Sequence, residues 1–146
     1  MELILGTTPS WSLLIIRGFL GIIFFAHGAQ LVFGWFEGQG LRATIHYFWE
    51  ALHVPAPLAM LAAVTQCFGG LAVFMGFLVR PAALGLIVVM LVPIAKVHAR
   101  HGFFLNWALE PDKGHGIEMN VALIGMALAL CIGRAGAVSI DPLLIP

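Results

Sequence analysis

The 146-residue chain is 61% hydrophobic and only 10% charged, against about 25% charged residues in an ordinary soluble domain. A fold of this length exposes too large a share of its area to hide that much apolar surface from water, so a water-soluble domain is excluded and lipid must be the main solvent. Seven basic residues balance seven acidic ones, which leaves no electrostatic footprint for a nucleic-acid partner.

The opening stretch, "MELILGTTPSW", lacks the positive region of a cleaved signal peptide, and the apolar run behind it is too long for one, so it reads as retained. A transmembrane helix needs about 20 mainly apolar residues. Four segments meet that length, at about 11–34, 57–79, 82–98 and 117–133. Pro55 and Pro57 open the second, Pro81 marks the turn before the third, and Pro93 should disturb the third near its end. A transmembrane barrel would show alternating segments of about ten residues, and nothing alternates in that way. The expected fold is an all-α integral membrane protein, a four-transmembrane-helix bundle.

Four spans put both termini and the 80–81 turn on one side, the terminus side. The loop side then carries segments 35–56 and 99–116. In the first of these, Leu41, Ile45, Phe48, Trp49 and Leu52 fall on one helical face and Arg42, His46, Glu50 and His53 on the other. This predicts a short amphipathic helix lying in the interface between the first and second spans. The shared face of His46, Glu50 and His53 makes weak metal candidates of His46 and His53, although the wet face of an interfacial helix is the better account of them. Arg80 and Arg134 on one side against Arg42, Arg100 and Lys113 on the other do not fix an orientation. Cys67 and Cys131 form no metal or redox motif and read as small packing residues.

Charged and polar residues inside spans are costly, by roughly 2.5–3.5 kcal/mol for a charge at the helix centre, so each one is informative. By helical rise, Arg17 lies roughly 8 Å from the middle of the first span toward the terminus side, and His27 about as far toward the loop side. Arg17 shares a face with Gly21, Phe24 and Gly28. In the fourth span Glu118 shares a face with Ala122, Gly125, Ala129 and Gly133. Small residues of this kind let helices approach closely, so both faces are expected to pack inward. Arg17 is expected to pair with Asp141. His27, Lys96, His98, Glu118 and the deeper Gln66 are expected to converge at the loop end, under the interfacial helix and "HGFFLNW". A carboxylate beside histidine and lysine has the composition of a proton-handling site. Singly, each residue near a helix end is also explained by snorkelling or an interhelical hydrogen bond.

These same stretches resemble a known family. "RGFLGIIFFAHGAQLVFGWF", "TQCFGGLAVFMGFLVRPAAL", "VHARHGFF" with "GIEMN", and "GRAGAVSID" are similar in order and spacing to the signatures of the DoxX family of four-helix bacterial and archaeal membrane proteins. Gln66 departs from it, since many members carry glutamate there, and this puts a proton relay through the second helix in doubt. The resemblance implies one domain over 1–146, multi-pass in the cell (inner) membrane, and a role in oxidoreduction, linked in some relatives to quinones.

Taken with the residues, the leading expectation is a membrane subunit of a quinone-linked redox system with its polar site at one membrane face. His27, His98, Lys96 and Glu118 would be the catalytic candidates. Gln66, Phe103, Phe104 and Trp107 would contact the substrate. The chain has no nucleotide-binding glycine loop, so electrons would come from a soluble or membrane redox partner. Three alternatives stand beside this. His27 and His98 could ligate haem or a metal, with His101 and His115 at the surface. The chain could be a non-catalytic anchor or assembly subunit, homo-oligomeric or not. A solute transporter would show inverted repeats or broken helix pairs, and only Pro93 interrupts a span.

Overall fold

The computed structural model describes residues 9–144; most of the "MELILGTTPSW" stretch read as retained lies outside them. Helix α1 spans Trp11–Phe33, α2 Gly40–Leu52, α3 Ala56–Met75, α4 Val79–His101 and α5 Glu118–Gly133, and a 3-10 turn at Asp141–Leu144 follows. No strand occurs among the described residues. Helices α1, α3 and α4 are long and apolar enough to cross a membrane; α5 is apolar but shorter.

Helix α1 starts where the Ser10 hydroxyl accepts from the Leu13 amide, and it stops at Gly34, whose left-handed backbone closes the last turn. Its buried stripe is Arg17, Leu20, Gly21, Phe24, Gly28 and Ala29. The expected inward face is therefore the one that packs. The reason is backbone proximity: a Cβ at Gly28 would run into the Cys67 backbone, and α1 lies directly against the middle of α3.

At that contact α3 is not a regular α-helix. A π turn occupies Thr65–Gly69. A second π turn, Ile94–His98, follows Pro93 in α4 and leads into a 3-10 turn at Ala99–His101. The disturbance expected at Pro93 takes this form because proline lacks an amide hydrogen and its ring crowds the preceding turn.

Helix α5 corrects one expectation. Ala122 and Gly125 are exposed, whereas Asn120, Leu123, Ala127 and Leu130 are buried. The small-residue face of Glu118 is not the seam with α4; of that set, Gly133 packs closely, against the Leu13 side chain. Larger apolar side chains offer more dispersion contact where the backbones need not touch.

At the terminus end the chain returns into the bundle. Arg17, 2% exposed, donates to the carbonyls of Ala135 (3.1 Å), Ala137 (3.4 Å) and Val138 (2.6 Å). Asp141, equally buried, accepts from the amides of Leu78 (2.5 Å) and Val79 (3.2 Å) at the start of α4. The direct Arg17–Asp141 ion pair expected from sequence is thus replaced by two caps. The guanidinium satisfies carbonyls beyond the end of α5, and the carboxylate satisfies amides at the head of α4. The two charges still act on each other electrostatically. The left-handed turn at Gly76 makes room for this, since a Cβ there would strike the Arg17 guanidinium, and its carbonyl accepts from Ile140 and Asp141.

Candidate functional site

A cavity of about 350 Å³ opens at the loop end, where α1, α3, α4 and α5 meet beneath the 102–116 loop. Its polar lining is His27 and Gln30 from α1, Gln66 from α3, His98 from α4, His115 from the loop and Asn120 from α5. Phe24, Leu31, Met90, Leu105 and Leu123 are among its apolar walls. Both π turns bear on it: Gln66 sits in the first, and the second carries His98 after the lining residue Pro93. An inserted residue rotates the side chains that follow, which is a recurrent use of π turns at functional sites.

Hydrogen-bond partners fix two imidazole tautomers. His98 Nδ1 lies 2.8 Å from the His115 carbonyl, which can only accept, so Nδ1 carries the proton and Nε2 of the neutral ring is an acceptor. His115 Nδ1 receives the Asn106 amide at 3.2 Å, so its Nε2 carries the proton and is a donor. The cavity thus has one accepting and one donating imidazole on its wall. The side chains of Gln66 and His27 make no hydrogen bond to other described residues. The Gln30 amide donates to the Phe36 carbonyl (3.0 Å), and the Asn120 amide faces the Met90 sulfur at 3.6 Å.

Of the residues expected to converge, three do so: His27, Gln66 and His98 line one cavity. Lys96 does not join them. It is exposed and lines a different groove, because two positions along a helical turn separate it from the face of His98. Glu118 stands at the first turn of α5, where a carboxylate suits the positive helix end. Its Oε2 accepts from the Leu105 amide at 3.0 Å, and its own amide donates to the Phe103 carbonyl at 2.8 Å. It holds the loop over the cavity rather than lining it. Phe103 and Phe104 pack edge-on against each other at 5.2 Å and are exposed, and Leu105 supplies the wall instead. Trp107 lines an adjoining hollow that shares Leu105, His115 and Met119.

Gln30, Asn120 and His115, the last expected only at the surface, are the polar lining residues that the sequence does not single out. Asn120 shares a stripe with Leu123, Ala127 and Leu130, a signal that was present but competed with the small-residue stripe beside it. His115 is brought in by Asn106, whose side chain ties the loop through the Glu110 amide and the carbonyls of Glu110 and Lys113. No group of three or more His, Cys, Asp or Glu able to hold a metal occurs among the described residues. His46 and His53 are separated further by conformation, since α2 ends at Leu52 and His53 is left-handed (φ 53°).

The DoxX family profile matches residues 12–99. The chain belongs to the DoxX family. The match takes in α1 to α3 and all but the last turn of α4, and with them His27, Gln66 and His98. "GIEMN" and "GRAGAVSID" lie beyond it. In this DoxX protein the cavity is therefore completed by α5 and its preceding loop, outside the matched region. No curated protein and no solved structure matches the chain.

Proposed function

We propose that this DoxX protein is the membrane subunit of a redox system and holds a quinone head group in the cavity at its loop end. The observation that supports this most is the lining itself. His27, Gln66, His98, His115 and Asn120 ring a space otherwise walled by apolar side chains, the pattern of a small-molecule site in which few polar groups set orientation. A quinone ring presents two carbonyl oxygens to donors. His115 Nε2–H, the Gln66 and Asn120 amides and His27 are the donors within this lining, and hydrogen bonds to those oxygens strengthen as they gain charge. Reduction to the quinol consumes two electrons and two protons. The reading assigns the electrons to a soluble or membrane redox partner and proton transfer to the histidines. Glu118 acts by positioning the loop.

The same reading takes α5 as a fourth span, α2 as a helix in the membrane interface and the cell (inner) membrane as the location. The 16 residues of α5 rise roughly 24 Å, and local thinning of the bilayer accommodates so short a span at modest cost. The half-buried Leu41, Ile45, Phe48 and Leu52 of α2, opposite exposed Arg42, His46 and Glu50, suit an interfacial position. A non-catalytic anchor is the second reading, favoured by the engagement of Glu118 and Asn106 with loop backbone. Titration of a short-tail benzoquinone into the protein in lipid nanodiscs, followed by tryptophan fluorescence, separates the two. His27→Ala and Gln66→Leu should each weaken binding roughly three- to tenfold, the worth of one hydrogen bond, with unchanged thermal unfolding. No binding by the parent protein, or equal binding by both variants, leaves the anchor.

A further inference from the structure

A second and larger concavity, about 780 Å³, runs between α3 and α4 on the other side of the π turns. Its walls are apolar: Leu58, Leu61 and Ala62 from α3, Val88 and Val92 from α4. It closes at its deep end where Gly85 meets the Thr65 methyl, 3.1 Å from a Cβ built at the glycine. At the loop end it carries two basic side chains, Lys96 from α4 and His53 from the α2–α3 turn. Lys96 has no hydrogen-bond or ion-pair partner among the described residues. His53 comes to this groove from a left-handed backbone conformation, which costs a non-glycine residue roughly 1 kcal/mol or more.

We propose that this groove is a binding site for one anionic phospholipid, its acyl chain between α3 and α4 and its phosphate at Lys96 and His53. Length supports a single leaflet as the source. From Gly85 to Lys96 the helical rise is roughly 16 Å, close to half of a hydrocarbon core about 30 Å thick. The groove therefore takes a chain that starts at the interface and ends near the midplane. Charge selects the head group, because an unpaired ammonium at the interface gains from a phosphate that carries net negative charge. A neutral quinone head gains nothing comparable, and its tail would leave Lys96 and His53 unpartnered. The site is separate from the cavity of His27 and His98, with which it shares no lining residue.

The test is lipid retention by the full-length protein, measured by native mass spectrometry after exposure to equal phosphatidylglycerol and phosphatidylcholine of matched acyl chains. The parent protein should retain phosphatidylglycerol with roughly fivefold preference, and Lys96→Gln should reduce this to about twofold or less. Ala62→Phe, which fills the groove, should lower retention of both lipids, and thermal unfolding checks that each variant is folded. Equal retention of the two lipids by the parent overturns the proposal, as does a preference that survives Lys96→Gln. Displacement of the retained lipid by a long-tail quinone, with no preference between the phospholipids, would give the groove to that amphiphile and also overturn it. If Ala62→Phe does not fold, the parent ratio and Lys96→Gln decide.

Discussion

Asp141→Ala removes the carboxylate that caps α4 from a distance. Two amides lose their acceptor. The Val79 amide is buried, and leaving it unsatisfied costs about 1–3 kcal/mol; the Leu78 amide is part-buried and recovers some of its loss through water. The charge at the helix N-terminus contributes roughly 0.3–1 kcal/mol more, and Arg17 loses the carboxylate whose charge acts on it. Together these amount to about 3 kcal/mol. Asp141→Asn keeps one acceptor oxygen and the shape, so it should cost about half as much by the same reckoning. Equilibrium unfolding in mixed micelles, with increasing denaturing detergent, measures both. The expected order is parent, Asn, Ala. An Ala variant within about 0.5 kcal/mol of the parent, the size of an ordinary surface substitution, would refute the capping argument. An Asn variant as unstable as Ala would show that the one acceptor it keeps contributes little and that the loss lies in the charge and the second acceptor together.

Two further substitutions separate packing from site support. Gly28→Ala should destabilise by about 1–3 kcal/mol, because the added methyl meets the backbone of Cys67 rather than a side chain that could move aside; thermal unfolding within error of the parent would mean that α1 and α3 are further apart than drawn. Glu118→Gln keeps an acceptor for the Leu105 amide and should leave loop protection in hydrogen exchange nearly unchanged, whereas Glu118→Leu should raise exchange at Leu105 by roughly tenfold, the loss of one charge-assisted bond. Equal exchange in the two variants would remove Glu118 from the loop anchor.

The helices were legible because their signals are long. A run of about 20 apolar residues, bounded by proline or glycine, outlasts any local ambiguity, and the sequence reading matched α1, α3, α4 and α5 to within a few residues. The inward face of α1 was legible for a related reason: Gly21 and Gly28 mark it on either side of Phe24. The face of α5 was not. Two stripes, one small and one large, run along it about one residue apart, and pattern alone cannot say whether close backbones or large side chains make the contact. Arg17 and Asp141 were correctly assigned to one end, yet their partners were misread. Backbone amides and carbonyls carry no sequence signal, although they are the commonest partners of side-chain hydrogen bonds.

The cavity shows most clearly where reading from regular periodicity stops. Gathering Lys96, His98 and Glu118 at the loop end rests on depth along the helices, and depth does not say which side of a helix a residue takes. The backbone also departs from 3.6 residues per turn at Thr65–Gly69 and Ile94–His98, and both turns lie at the cavity. A single inserted residue turns all later side chains by roughly 100° relative to the unbroken helix. Lys96 and His98 stand two positions apart, roughly 200° around the helix, so His98 goes to the cavity and Lys96 to the other groove. The end of α4 thus presents an imidazole on one side and an amine on the other. Asn106 of the loop and Glu118 of α5 then fix His115 and Leu105 over the imidazole. Chemistry at the loop end therefore rests on irregular backbone held by polar anchors, while the terminus end uses its buried charges to hold the bundle together.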